Sequence, residues 1–235
     1  MTEIKEVERP WADAPDASWR ERAVERSLRT ARAKALSRSD RFIQTAIELL
    51  SETGRTDFTV QELVERSKTS LRSFYQHFAG KDELLLALFE EVIAASTSEW
   101  RAEVAQYSEP LDGLRALVLR VHAQSIEQTM GGMTRALALY HLHLAETRPG
   151  DYAQVLGPLR DLVLELVEAG LREGQVRHDL EPLSLTNLLV QALVGATHMH
   201  ALDADIGGES LTGESLWAFC AGGIMAPTTP VEGKR

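Results

Sequence analysis

Two capped, amphipathic segments packed into residues 59–78 constrain this 235-residue chain more tightly than any other stretch. Thr59 is followed three residues later by Glu62, the spacing at which each can satisfy a free backbone N–H of the other at a helix start. Val60, Leu63 and Val64 then fall at i, i+3 and i+4, a two-turn helix with one apolar side. Ser67, Lys68 and Thr69 interrupt that pattern, and Ser70 can cap a second short helix carrying Leu71, Phe74 and Phe78. Upstream, RFIQTAIELLSETG places Phe42, Ile43, Ala46, Ile47, Leu49 and Leu50 on one stripe, with Ser39 and Asp40 as the expected N-cap and Gly54 as the stop. One longer helix followed by two short ones across a three-residue turn is the geometry of a helix-turn-helix, whose second short helix enters the DNA major groove. An ordinary helical hairpin with a polar outer face has the same spacing, so the pattern alone leaves both readings open.

The rest of the chain also reads as helix. Gly80 precedes a long helix expected from about Asp82 to Tyr107. Beyond Pro110, stripes recur at Leu111, Leu114, Val118 and Val121, at Leu159, Leu162, Val163, Leu166 and Val167, and at Leu185, Leu188, Leu189, Ala192, Leu193 and Ala196. The segment Ala136–Ala145 carries no formally charged side chain and is apolar on nearly every side, which predicts a helix surrounded by others. No segment alternates with the period of a strand. The fold class expected is all-α with eight or nine helices: an N-terminal three-helix unit, then a larger helical body. The expected divisions are 1–37, a basic arm with an acidic, disordered start; 38–82, the three-helix unit; 83–226, the body; and 227–235, a disordered tail.

Charge is informative only when located. The overall net charge of −10 argues against a polyanionic partner. Residues 20–81, however, hold 13 Lys and Arg against 8 Asp and Glu, while the remainder holds 12 against 27. A basic N-terminal third on an acidic body suits a nucleic-acid-reading head, although a solvated charged helix carries the same signature. No apolar run approaches a membrane span, and no secretory leader is evident, so a cytoplasmic protein is expected. The lone Cys220 leaves no disulfide framework or thiolate metal site. No nucleophile elbow, phosphate loop or dinucleotide motif is present, so neither an enzyme nor a cofactor is expected. The pairs His141/His143 and His198/His200 are two apart, the wrong spacing for ligands sharing one helical face, so no metal is assigned either.

The run from Phe42 to Glu90 resembles the N-terminal domain of tetracycline-repressor (TetR-type) regulators. The resemblance lies in Gly54, Thr59-Val60, Leu63-Val64, Ser70, Phe74-Tyr75, Phe78, and Lys81 followed by an acidic residue, in that order. Beyond it, only length, helical content and the closing Leu216–Ile224 are similar. The resemblance implies a homodimeric, DNA-binding transcriptional regulator, in the family's usual mode a repressor that leaves a palindromic operator when a small, largely hydrophobic effector binds. It places Thr59, Tyr75, His77 and Lys81 on phosphates. It makes Thr69, Ser70, Leu71, Arg72 and Ser73 the reading edge, with Gln76 among the groove-facing polar groups. Arg38 and Arg41 belong to the basic run that could follow phosphates or the minor groove. Two departures stand out. Lys68 occupies a turn position where glycine is usual, which demands a strained positive φ or a different turn. Arg72 replaces a small residue and could read guanine through two hydrogen bonds.

For the body, the resemblance implies pairing through the last two long helices, here Leu183–Leu202 and Leu211–Met225. Ala192, Gly195, Ala196, Gly222 and Gly223 there permit close helix approach, though internal packing would use them equally well. Candidate effector-lining residues are Phe89, Trp100, Tyr107, Met130, Met133, Tyr140 and His141, all of which could equally be core. An all-α enzyme and a protein-interaction module without DNA binding are the competing classes.

Overall fold

The computed structural model describes residues 37–126, 131–204 and 211–226. The basic arm up to residue 36, Met130 and the tail from 227 lie outside the described residues. Helix α1 covers residues 37–53, followed by α2 (Val60–Arg66), α3 (Leu71–Tyr75), α4 (Lys81–Val104) and α5 (Pro110–Ile126). Then come α6 (Gly131–Thr147), α7 (Pro149–Val155), α8 (Gly157–Arg172), α9 (Pro182–Ala201) and α10 (Gly213–Ile224). Among the described residues there is no β-strand, only a single antiparallel bridge between Val176 and Met225 that ties the α8–α9 loop to the end of α10.

Local chemistry explains several boundaries. Thr59 Oγ1 accepts the Glu62 N–H while the Glu62 carboxylate accepts the Thr59 N–H at 2.6 Å, so the expected capping box starts α2. Ser70 caps α3 in the same way, accepting the Ser73 N–H at 3.1 Å. Gly54, at φ +63°, ends α1 in the left-handed region that only glycine enters without cost. Thr212, which the periodicity did not single out, caps α10 through the Ser215 N–H. The expected cap at Ser39 and Asp40 is not one, because α1 is already helical at residue 37 and runs through both. The short α7, with Pro149 at its first position, also went unforeseen, since seven residues carry too little periodicity to read.

Two cores result. The first joins Phe42, Ile43, Ala46, Leu50, Phe58, Leu63, Val64, Phe74 and Phe78 of the head to Leu84, Leu85, Leu88 and Phe89 of α4. Phe42 meets Phe74 edge-on with centroids 5.5 Å apart, and Phe78 closes the group. The second lies between the far half of α4 and helices α5, α8, α9 and α10, built from Leu114, Leu117, Leu162, Val163, Leu185, Leu193 and Leu216 among others. Helix α4, about 36 Å long at 1.5 Å per residue, reaches from one core to the other.

Helix α6 is not surrounded as its composition suggests. It turns Ala136, Tyr140 and Leu144 into the head core, while Leu139 and Leu142 are exposed. A hydrophobic composition fixes how much a helix wants to bury, not on which side partners arrive. Its first turn approaches the head closely: a Cβ at Gly132 would collide with the backbone carbonyl of Ser51 at the end of α1. Only glycine fits there.

Candidate nucleic-acid interface and ligand cavity

The head presents an edge to solvent. In α3, Leu71, Arg72, Tyr75 and Gln76 share one face and are exposed, Tyr75 by 58%, while Phe74 anchors the opposite face in the core. Ser70 is exposed at the start of that edge, whereas Thr69 and Ser73 are half-buried. Leu71 and Tyr75 leave apolar surface exposed on so short a helix among the described residues. Arg38 and Arg41 are exposed on α1.

The turn before α3 takes the strained form that its sequence demands. Lys68 has φ +53°, one of two non-glycine residues with positive φ among those described. The strain is held by Thr69 N–H donating to Val64 O at 2.9 Å and by the 2.7 Å Ser67–Thr69 hydroxyl contact. Arg66 clamps α2 to α1 through Glu52, with Glu48 at 3.5 Å, so this arginine is committed inside the head.

Several expected phosphate groups are committed as well. Lys81 points inward, its Nζ donating to Thr56 O at 3.0 Å and Phe58 O at 3.2 Å and lying over the Phe58 ring. In the DNA-free chain it fastens the α1–α2 loop to the start of α4. Thr59 donates its hydroxyl proton to Glu62 Oε2 at 2.9 Å, so the capping box uses the group expected on a phosphate. His77 is half-buried with its ring 6.2 Å from that of Phe42.

A cavity of about 130 Å³ lies between α4, α5, α6, α8 and α9. Of the candidates named above, Phe89, Trp100, Met133 and His141 line it. Tyr107 does not: it lies beyond the end of α4 and is exposed. Tyr140 does not either, because it is on the head side of α6, donating its phenol to Asp82 O at 3.0 Å. Burial there pushes the Tyr140 phenol up to about 12, so it stays a donor.

The remaining lining is mostly apolar, with Val92, Ile93, Val121, Leu137, Leu159, Leu193 and Val194 prominent. Polar groups interrupt it, Ser125, Thr134 and Thr197 among them, and two sets are linked by hydrogen bonds between helices. Trp100 Nε1 donates to Gln124 Oε1 at 3.2 Å, and the Gln124 amide reaches Ser96. Across the cavity, His141 Nδ1 and His198 Nε2 share a proton at 2.7 Å. Burial, then proximity to His198, lowers His141 to about 3, and burial lowers His198 too. Both rings are therefore neutral near pH 7. His198 and Gln124 escape sequence reading because a pair bridging two helices leaves no spacing signature; only burial of a polar residue on an apolar stripe hints at it. Among the described residues no cluster of three or more metal-ligating side chains occurs.

The family model of the bacterial regulatory proteins of the tetR family matches residues 42–88, the same head. The match covers the head alone, so the resemblance to the tetR family is strongest there. The matched residues include the exposed α3 edge, and similarity extends further along the chain at low identity. The A-factor receptor protein of Streptomyces griseus is 22% identical over 198 residues, covering 83% of this chain and 66% of the relative. The HTH-type transcriptional regulator TcmR of Streptomyces glaucescens is 26% identical over 117 residues, covering 50% of this chain and 51% of TcmR. The chain thus spans only about half to two thirds of these relatives' lengths. In fold, it is similar to Thermus thermophilus FadR, a TetR-family repressor solved with lauroyl-CoA, with a TM-score of 0.63 and 20% identity. That similarity covers 83% of this chain and all (100%) of FadR. No described helix is long and apolar enough to cross a membrane.

Proposed function

We propose that this chain is a DNA-binding transcription regulator acting as a repressor, which pairs with a second copy and leaves its operator when a small apolar effector fills the cavity. The observation that carries this reading is the placement of α6. One side of it, Ala136, Tyr140 and Leu144, belongs to the head core; another, Met133, Ala138 and His141, lines the cavity. A ligand that moves α6 therefore acts on the head directly, at Gly132 against Ser51, in addition to any path along α4. Release follows only if the ligand prefers the DNA-incompatible arrangement.

On α3, Leu71, Arg72 and Gln76 are the groove-facing groups, and Ser70, Ser73 and Tyr75 the supporting contacts. Thr69, His77, Arg38 and Arg41 are placed around them as phosphate neighbours. Pairing is assigned to α9 and α10. There Leu188 and Phe219 are exposed by 60% and 76%, and Gly195, Gly222 and Gly223 have open space where a side chain would stand. An apolar strip interrupted by small residues is what a close helix–helix interface between copies requires. FadR of Thermus and the A-factor receptor, whose names state a ligand or receptor role, support an effector of some kind.

The test is a gel shift of the full chain on duplex DNA from upstream of its own gene, followed by a screen for compounds that abolish the shift. Sedimentation of the Phe219→Glu variant as a monomer, where the parent is a dimer, checks the pairing surface.

A further inference from the structure

We infer that the cavity recognises an uncharged, mostly apolar molecule through one neutral oxygen, a hydroxyl or a carbonyl, bound by Nε2 of His141. This rests on the effector reading above and specifies its chemistry. His141 is 95% buried, being 5% exposed, and its Nδ1 is taken by His198 Nε2 at 2.7 Å. Its other nitrogen, Nε2, is buried without a partner among the described residues, on a ring that lines the cavity. A buried polar atom left unpaired is costly, and the cost is recovered when a ligand supplies the missing bond.

The histidine pair sets which groups qualify. When His198 Nε2–H donates to His141 Nδ1, His141 carries its proton on Nε2 and donates to a carbonyl or hydroxyl oxygen. When His141 Nδ1–H donates to His198 instead, His141 Nε2 is a bare acceptor that takes a hydroxyl proton. A neutral oxygen fits one or both tautomers. A carboxylate does not, because it must be stripped of water among Phe89, Leu137 and Leu193 with no Lys or Arg among the described lining residues. Phe89 and Tyr152 stand 4.6 and 4.7 Å from the His141 ring, holding its orientation. At roughly 10–15 Å³ per water-sized site, the space takes a ligand of about ten heavy atoms.

The experiment is calorimetric titration of the full chain at pH 8 with three probes of matched shape: naphthalene, 2-naphthol and 2-naphthoate. The expected order is naphthol at least tenfold tighter than naphthalene, with naphthoate weakest. In His141→Phe the advantage of naphthol over naphthalene disappears while naphthalene still binds. Nitrogen-15 spectra of the parent's imidazoles keep the test independent of that variant's folding: the His141 Nε2 resonance must shift with naphthol and stay with naphthalene. Equal affinity for naphthol and naphthalene, tight naphthoate binding, or a hydroxyl preference that survives in a folded His141→Phe overturns the inference while leaving an apolar effector site. Binding of none of the three overturns the effector reading itself.

Discussion

The head and the body solve opposite packing problems with the same helical vocabulary. The head core centres on an aromatic group, Phe42 meeting Phe74 and Phe78 edge to face with those two tilted against each other, and its boundaries are pinned by a capping box, a glycine stop and Lys81 on two carbonyls. The body core is mostly aliphatic and borders a cavity. The buried side-chain polar atoms without partners among the described residues, Thr97 Oγ1, His141 Nε2 and Thr186 Oγ1, all lie in the body. Under the proposed function, a head that presents α3 in one orientation gains from rigidity, whereas a body that responds to a ligand gains from unfilled space and unspent hydrogen-bonding capacity. Helix α6 touches both.

The strongest way to break this contrast is to open the head core. Phe74→Ala removes a ring with no exposed surface and should cost about 3–5 kcal/mol, enough to melt the head and abolish DNA binding. Calorimetry should then show the body still unfolding cooperatively; loss of both transitions together would mean that head and body are one unit.

Acid should find the body first. His141 is held near 3 in the fold and His198 is lowered as well, against about 6.5 unfolded, so the unfolded chain binds more protons between those limits. Stability contributed by the neutral pair is therefore complete above pH 6.5 and lost progressively toward pH 3. The slope is at most about 1.4 kcal/mol per pH unit for each ring. Urea unfolding of the parent and of His141→Phe between pH 7 and 5 checks this, with the variant expected to have the shallower dependence.

The boundary itself can be tested at Gly132. Gly132→Ala drives a methyl into the Ser51 carbonyl and should cost about 1–3 kcal/mol. DNA affinity should fall with it, whereas an unaltered affinity would detach α6 from the control of the head.

These regions also differ in how much their sequence discloses. Caps, stripes and the Lys68 strain are local, set by residues within four positions of one another, and the head could be read from them nearly helix by helix. Less legible were groups with two possible partners: Lys81 and Thr59 carry phosphate-binding chemistry and also make hydrogen bonds inside the head. In the body, stripes revealed helices but not their neighbours. Met133 and His141 were legible as lining, while Tyr140, one residue away, turns to the head, a 100° step that periodicity cannot orient. The His141–His198 bond joins residues 57 apart in the chain and had no local signature.

A smaller effect sharpens the account of the turn. Lys68→Gly relieves a φ of +53° and should raise head stability by about 1 kcal/mol without altering sequence preference. Lys68→Val should lower it, as thermal melts of both would show.

The most direct test of the central claim is selection of duplex DNA from a random pool by the full-length protein at low salt, followed by the same selection with Arg72→Ala. The account predicts an enriched palindrome whose half-sites contain a guanine, and a variant that loses preference at that base pair alone, by about 1–3 kcal/mol. Enrichment of no duplex by the parent protein would contradict it.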